Sequence, residues 1–318
     1  MYSDLKRGSP FVFVALAGLA MMACGGEGGG GGEGEGELSG SVHIDGSSTV
    51  YPITEAVAEE FQAQHRNVRV TVGISGTGGG FKKFCAGETD ISDASREIKE
   101  SELDACHARG IEPDQLSVAI DGLSVVVNSQ NDFVDCLTTE ELKRIWEPGS
   151  KVQTWKDVRP EFPAQQIKLY GPGTDSGTFD YFTEAIMGEE DASRPDFTAS
   201  EDDNVLVQGV TGDRYALGYF GYAYYAENTD KLKVLGIDGG GGCVKPTPET
   251  VQEGTYSPLS RPLFIYVKED ALARDEVEAF VRFYLENAGE LAPQVGYVAL
   301  SPERYQQQLT KIEGPTTE

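Results

Sequence analysis

Positive charge is scarce in this chain. Lys and Arg number 26 against 52 Asp and Glu, giving a formal net charge of -26 over 318 residues. A surface of that sign repels phosphate backbones and anionic headgroups, so nucleic acid and acidic lipid surfaces are excluded as partners. Histidine is scarcer still, at three residues: His43, His65 and His107. His65 lies in a polar stretch and His107 adjoins Cys106, settings of solvated side chains rather than of a catalytic base. No C-x-x-C or His-x-x-x-His spacing occurs, which argues against a zinc site. The apolar run at residues 11–20 is too short to span a bilayer. No tandem repeat of solenoid type is visible.

What is present begins with an export signal. Lys6 and Arg7 precede the apolar run, and Ala23-Cys24 follows it. A charged region, a short apolar region and a small residue before cysteine predict a lipoprotein signal over residues 1–23, with Cys24 acylated. Met21 stands where that motif prefers leucine; an ordinary cleaved signal would use the same run. Residues 25–37 are only Gly and Glu. Glycine gives flexibility and like charges extend the chain, so residues 24–40 read as a tether. The remainder is large for one core and predicts two lobes. Setting Cys24 aside leaves Cys85, Cys106, Cys136 and Cys243. An even count in an exported chain favours disulfides, with three pairings open.

Strand, loop and helix recur in that order. Val42-His43-Ile44 reads as a strand, and Val50, Ile53, Val57 and Phe61 then share a helical face with Pro52 in the first turn. Val68 to Ile74 alternates as a second strand, followed by a helix carrying Phe81, Phe84 and Cys85. Residues 120–128 have a buried-strand signature, and Thr138 to Glu141 form a capping box before Leu142, Ile145 and Trp146. Residues 167–170 are a short strand entering a helix with Phe179, Phe182 and Ile186. Residues 217–225 are aromatic and β-prone, residues 262–267 read as a core strand, and Val277, Phe280, Val281, Tyr284 and Leu285 form a last helical stripe. The pattern is α/β with largely parallel sheets and ligands near the strands' carboxyl ends.

Three of the loops carry chemistry. They are Gly46-Ser47-Ser48-Thr49, Ser75-Gly76-Thr77-Gly78-Gly79-Gly80 and Gly173-Thr174-Asp175-Ser176-Gly177-Thr178. Each sets hydroxyls and backbone N–H groups at a helix start, where the dipole favours an anion. The second loop is neither a P-loop, since Phe81-Lys82-Lys83 follows Gly80, nor a Gly-x-Gly-x-x-Gly fingerprint. In the third, Thr178 stands where a nucleophile elbow needs glycine. Ser95-Arg96 supplies a guanidinium fork suited to a tetrahedral oxyanion, although Glu97 or Glu100 could pair with it at the surface. Lys82 and Lys83 read as solvated.

Asp45-Gly46-Ser47-Ser48-Thr49-Val50-Tyr51-Pro52, Ser75-Gly76-Thr77-Gly78-Gly79-Gly80-Phe81-Lys82, Asp93-Ala94-Ser95-Arg96 and Asp175-Ser176-Gly177-Thr178-Phe179 resemble the periplasmic phosphate-binding protein of the ABC phosphate importer. Cys136-Leu137-Thr138, Trp146-Glu147-Pro148, Gly218-Tyr219-Phe220-Gly221-Tyr222 and Pro258-Leu259-Ser260-Arg261-Pro262-Leu263 resemble it too, in family order. The resemblance implies a two-lobed periplasmic binding protein fold with each sheet mostly parallel and two crossing strands. Lobe I would be residues 41–128 plus 258–318, and lobe II residues 129–257. Phosphate would meet Ser48, Thr49, Thr77, Ser95, Arg96, Ser176, Gly177 and Thr178, with Ser75 beside them. Pairing within each lobe gives Cys85–Cys106 and Cys136–Cys243.

The best-known branch has an aspartate near Ser95 that accepts the phosphate proton, and an arginine before the third loop. Here Gly171-Pro172-Gly173-Thr174 lacks that arginine, and Arg96 follows Ser95 directly. Asp93 or Asp175 is left as the candidate acceptor. The implied protein is a monomeric, lipid-anchored receptor at the cell envelope, serving ABC permease subunits without cofactor, metal or catalysis. A receptor for sulfate or another oxyanion, or a secreted phosphate-ester hydrolase, are the alternatives.

Overall fold

The computed structural model describes residues 37–174 and 176–312. The expected signal peptide, Cys24 and most of the tether lie outside them, as does Asp175.

The chain opens with β1 (Gly40–Gly46), α1 (Tyr51–Gln64), β2 (Val68–Ile74), α2 (Gly76–Ala86) and β3 (Ile91–Ala94). Next come α3 (Glu100–His107) and the long β4 (Pro113–Asn128), then β5 (Cys136–Thr138), α4 (Thr139–Trp146) and α5 (Trp155–Val158). After these run β6 (Lys168–Gly171), α6 (Gly177–Met187), β7 (Thr198–Ala199), α7 (Asp203–Thr211) and β8 (Ala216–Gly221). The last third holds α8 (Tyr222–Ala226), β9 (Leu232–Val234), β10 (Gly236–Asp238), β11 (Cys243–Val244) and α9 (Pro248–Gln252). It closes with β12 (Ser260–Lys268), α10 (Asp275–Gln294) and α11 (Pro302–Ile312).

The large sheet runs β2-β1-β3-β12-β4-β8-β6-β7, with β9 also on β4, and β11-β10-β5 form a small second sheet. The parallel expectation holds for β1 with β2 and β3, and for β6 with β7 and β8. Antiparallel pairs arise where β4 and β12 cross between the halves. β4 bonds β12 from Pro113 to Gly122 and β8 from Leu123 onward, so one strand belongs to both halves.

The predicted stripes form the core. Val50, just before α1, and Ile53, Val57 and Phe61 within it are fully buried in one core with Val277, Phe280, Val281 and Tyr284 of α10. Phe61 and Phe280 meet edge to face at 5.3 Å between centroids, a favoured aromatic geometry. Thr138 caps α4 by accepting the Glu141 N–H at 3.1 Å, while the Glu141 carboxylate takes the Thr138 N–H at 2.9 Å. The β-prone stretch at 217–225 is only partly strand. Pairing with β4 ends at Leu123 with Gly221, and the following tyrosines, left without a partner strand, coil into α8.

Both expected disulfides are present, Cys85–Cys106 joining α2 to α3 and Cys136–Cys243 joining β5 to β11. They close sequence separations of 21 and 107 residues. Restricting the unfolded chain makes the longer loop worth about 5 kcal/mol and the shorter about 3 kcal/mol. The Cys136→Ala/Cys243→Ala variant is therefore expected to lower the urea midpoint more than Cys85→Ala/Cys106→Ala, measured by circular dichroism.

Candidate anion-binding site

The first loop leaves β1 at Gly46. Ser47 N–H donates to the Asp93 carbonyl at 3.0 Å, and the Ser47 carbonyl accepts the Tyr51 N–H at 3.0 Å, turning the chain into α1. Tyr297 donates its hydroxyl to the Thr49 carbonyl. The second loop is tied to the first, because Ser75 N–H donates to the Gly46 carbonyl at 3.0 Å. Its glycines lie in the opening turns of α2, where they cost helix propensity. At Gly80 the reason is close approach: a Cβ there would lie 2.6 Å from the Gly46 Cα.

Thr77 of this loop meets the end of β3. Its Oγ1 accepts the Ser95 N–H at 3.2 Å and lies 3.1 Å from Ser95 Oγ. One hydroxyl donates to the other, so the other's proton is available to a ligand. The third loop opens α6, where Ser176 Oγ caps by accepting the Thr178 N–H at 3.2 Å. A Cβ on Gly177 would lie 2.5 Å from Thr49 Oγ1. Only glycine lets the start of α6 come this close to the start of α1.

Ser48, Thr49, Thr77 and Ser95 line one cavity of about 300 Å³, with Arg96 and Arg261 on its wall. Ser176, Gly177 and Thr178 line an adjoining space of about 350 Å³ that shares Ser48 and Thr49. The expected hydroxyl and amide donors therefore gather around Ser48 and Thr49.

Four expectations change. Ser75 donates its hydroxyl to Asp45, so it braces the loop instead of facing the cavity. Lys83 is not merely solvated, since it donates to Asp45 at 2.6 Å. Arg96 reaches the wall, but its fork is held by neither Glu97's carboxylate nor Glu100. Both terminal nitrogens donate to Glu102, each at 2.9 Å, and one also donates to the Glu97 carbonyl. Asp93 is fully buried beneath the first loop and does not line the cavity. Neither of its carboxyl oxygens has a hydrogen-bond partner within normal geometry among the described residues; the nearby Thr54 hydroxyl is 3.0 Å from that of Tyr284.

Two features escaped the sequence reading. Arg261, at the start of β12, is largely buried on the cavity wall. Asp180, Glu184 and Glu190 also line the cavity. Burial, then the charges of Asp191 and Glu190, push the Asp180 carboxyl up to about 6, with Arg261 opposing. Arg261 stands in a quoted motif but no local pattern marks it, and Asp180 reads as an ordinary first-turn acid.

Two halves sharing crossing strands, with helix starts gathered on two adjoining cavities, define a two-lobed α/β binding protein. Residues 31–288 match the family model described as the PBP superfamily domain, and the chain belongs to that superfamily. It is 50% identical to protein SphX of Synechocystis over 306 residues, which cover 95% of this chain and 88% of that one. It is 44% identical to the phosphate-binding protein PstS of Staphylococcus saprophyticus, over 93% of this chain and 91% of that one. The crystal structure of a possible phosphate binding protein from Planctomyces limnophilus matches with a TM-score of 0.81 at 49% identity, covering 86% of this chain and 99% of that one. An ABC-type phosphate transport receptor from Vibrio cholerae matches at 0.66 with 26% identity, covering 81% and 99%.

Asp93 makes a testable contribution to stability. Burial pushes its carboxyl from 3.8 up to about 8, with Asp45 adding and Thr54 opposing. Between those values the folded state keeps a proton that the unfolded chain has released, so stability falls as pH rises and levels off above 8. The slope is at most about 1.4 kcal/mol per pH unit. Asp93→Asn should flatten that slope, read from urea unfolding at pH 4.5, 6 and 8.

Proposed function

We propose that this protein is an extracytoplasmic receptor that binds inorganic phosphate between two closing lobes and delivers it to the permease of an ABC importer. The observation that carries the reading is the meeting of Thr49 with Gly177, which brings helix starts from both halves to one place. Stacked N–H groups and hydroxyls at helix starts suit a compact anion. The names of the relatives, phosphate-binding protein and phosphate transport receptor, support the choice of anion. The protein acts as a receptor and not as an enzyme.

In this reading lobe I comprises residues 41–128 plus 258–318, and lobe II residues 129–257. Ser48, Thr49, Thr77, Ser95, Ser176, Gly177 and Thr178 supply the donors. Ser75 and Arg96 brace the second loop and the exit of β3 through Asp45 and Glu102. The receptor is a monomer held at the membrane by acylated Cys24, with the Gly/Glu segment that follows it as its tether. Fatty-acid labelling that is lost in Cys24→Ala, with release of the protein from membranes, is the expected result for that anchor.

Phosphate near neutral pH carries a proton and sulfate does not. A carboxylate on the wall can accept that proton from phosphate, while it would set lone pair against lone pair with sulfate. Asp180 lines the cavity, and its carboxylate has no hydrogen-bond partner among the described residues. Asp180 is the acceptor we propose in place of the buried Asp93, while Asp175 lies outside the described residues. Glu184, Glu190, Asp191 and Arg261 are the charged groups acting on it.

Calorimetric titration of the purified protein, stripped of bound anion, should give one-to-one phosphate binding that excess sulfate does not displace. Absence of phosphate binding, or preference for sulfate, overturns the reading. Asp180 accepts a proton only when ionised, so discrimination should shrink as pH falls through about 6. At pH 7.5, Asp180→Asn should bring the two anions closer in affinity in the same titration.

A further inference from the structure

The receptor reading leaves open which group meets the ligand's negative charge, and the answer deepens that reading while resting on it. Two arginines line the cavity, Arg96 and Arg261. Their surroundings differ. Arg96 is engaged in a two-point pair with Glu102, both contacts 2.9 Å, within one loop-and-helix segment. A bidentate pair of that kind satisfies the guanidinium geometrically and largely offsets its charge.

Arg261 is met at one point only by its acid. Nε donates to Asp121 Oδ2 at 3.3 Å, near the long end of the hydrogen-bond range. Nη2 donates to Thr49 Oγ1 at 3.1 Å and approaches the Gly177 carbonyl at 3.4 Å. Nη1 has no partner among the described residues. The guanidinium lies 3.8 Å from the centre of the Tyr181 ring, and that ring is fixed by a 2.7 Å hydrogen bond from its hydroxyl to the Pro258 carbonyl. A largely buried arginine with unfilled N–H donors beside a donor-lined cavity is suited to complete its bonding with an anion.

Its contact with Thr49 also sets a hydroxyl. Because Thr49 Oγ1 accepts from Arg261, the Thr49 proton is left to donate elsewhere, and Thr49 lines the same cavity. We propose that Arg261, and not Arg96, is the cation that meets the bound tetrahedral oxyanion, with Thr49 turned into a donor toward the same ligand.

The test is phosphate titration by calorimetry on the full chain, comparing wild type with Arg261→Gln, Arg261→Lys, Arg96→Gln and the double variant Asp121→Asn/Arg261→Gln. Thermal melting monitors folding of each. Losing a charge-assisted hydrogen bond in a desolvated site should weaken binding roughly 10- to 100-fold in Arg261→Gln. Arg96→Gln should lose less, and Arg261→Lys should recover part of the loss by restoring charge without the fork. The double variant separates ligand contact from bracing, and it serves if the single variant folds poorly, because it leaves no unpaired buried Asp121. Continued weak binding in a folded double variant supports Arg261 as the ligand's partner. Return to wild-type affinity there, or a larger loss in Arg96→Gln than in Arg261→Gln, overturns the proposal. A wild-type protein that binds no phosphate instead overturns the receptor reading beneath it.

Discussion

Strand β4 is hydrogen-bonded to β12 from Pro113 to Gly122, then to β8 and β9 from Leu123 to Asn128. One extended segment thus belongs to both halves of the molecule. The change of partner at Gly122 and Leu123 ends β8 at Gly221, and it places Asp121 beside Arg261 of β12. The parallel units β1 to β3 and β6 to β8 lie on either side of this crossing. In such units the loops leave the carboxyl ends of the strands. The loops before α1, α2 and α6 therefore open toward the cleft, and the crossing brings them within reach of one another.

A chain with a net charge of -26 gathers anion-binding donors without contradiction. Surface charges are screened over about 10 Å at moderate salt, whereas a buried pair is screened much less. What acts inside the cavity is local: the helix starts, the hydroxyls, two arginines, and the acids Asp180, Glu184 and Glu190. In the proposed reading Asp180 makes the wall selective, since an unpaired carboxylate tolerates a ligand that brings a proton and opposes one that does not.

Much of this was legible in the residues. The stripes of α1 and α10, the Thr138 capping box and the three helix-opening loops depend on local periodicity and local hydrogen bonds, which a sequence displays directly. The disulfides followed once the cysteines were assigned to halves. What stayed hidden depends on contacts distant in sequence. Glu102 claims Arg96 only because α3 folds back over the exit of β3, and Asp45 claims Ser75 and Lys83 across the β1–β2 pair. Asp93 points beneath its loop because strand alternation sends its side chain toward Thr54. Arg261 meets Thr49 and Gly177 across separations of 212 and 84 residues, and no local pattern encodes that.

A cation on a crossing segment differs from one on a loop in what it can sense. The Arg96–Glu102 pair lies within one segment, so displacement of α6 leaves it intact. Arg261 touches β4 through Asp121, the start of α1 through Thr49 and the start of α6 through Gly177 and Tyr181. Moving α6 away from α1 removes both the Gly177 carbonyl and the ring beneath the guanidinium. More of the charge is then open to water. For unit charges 4 Å apart, attraction is about 4 kcal/mol at an effective dielectric of 20 and about 1 kcal/mol in water. A ligand shifts an equilibrium only by its difference in affinity for the two states. On the proposal that Arg261 meets the anion, the contacts it makes only while the starts of α1 and α6 adjoin supply that difference at the anion itself.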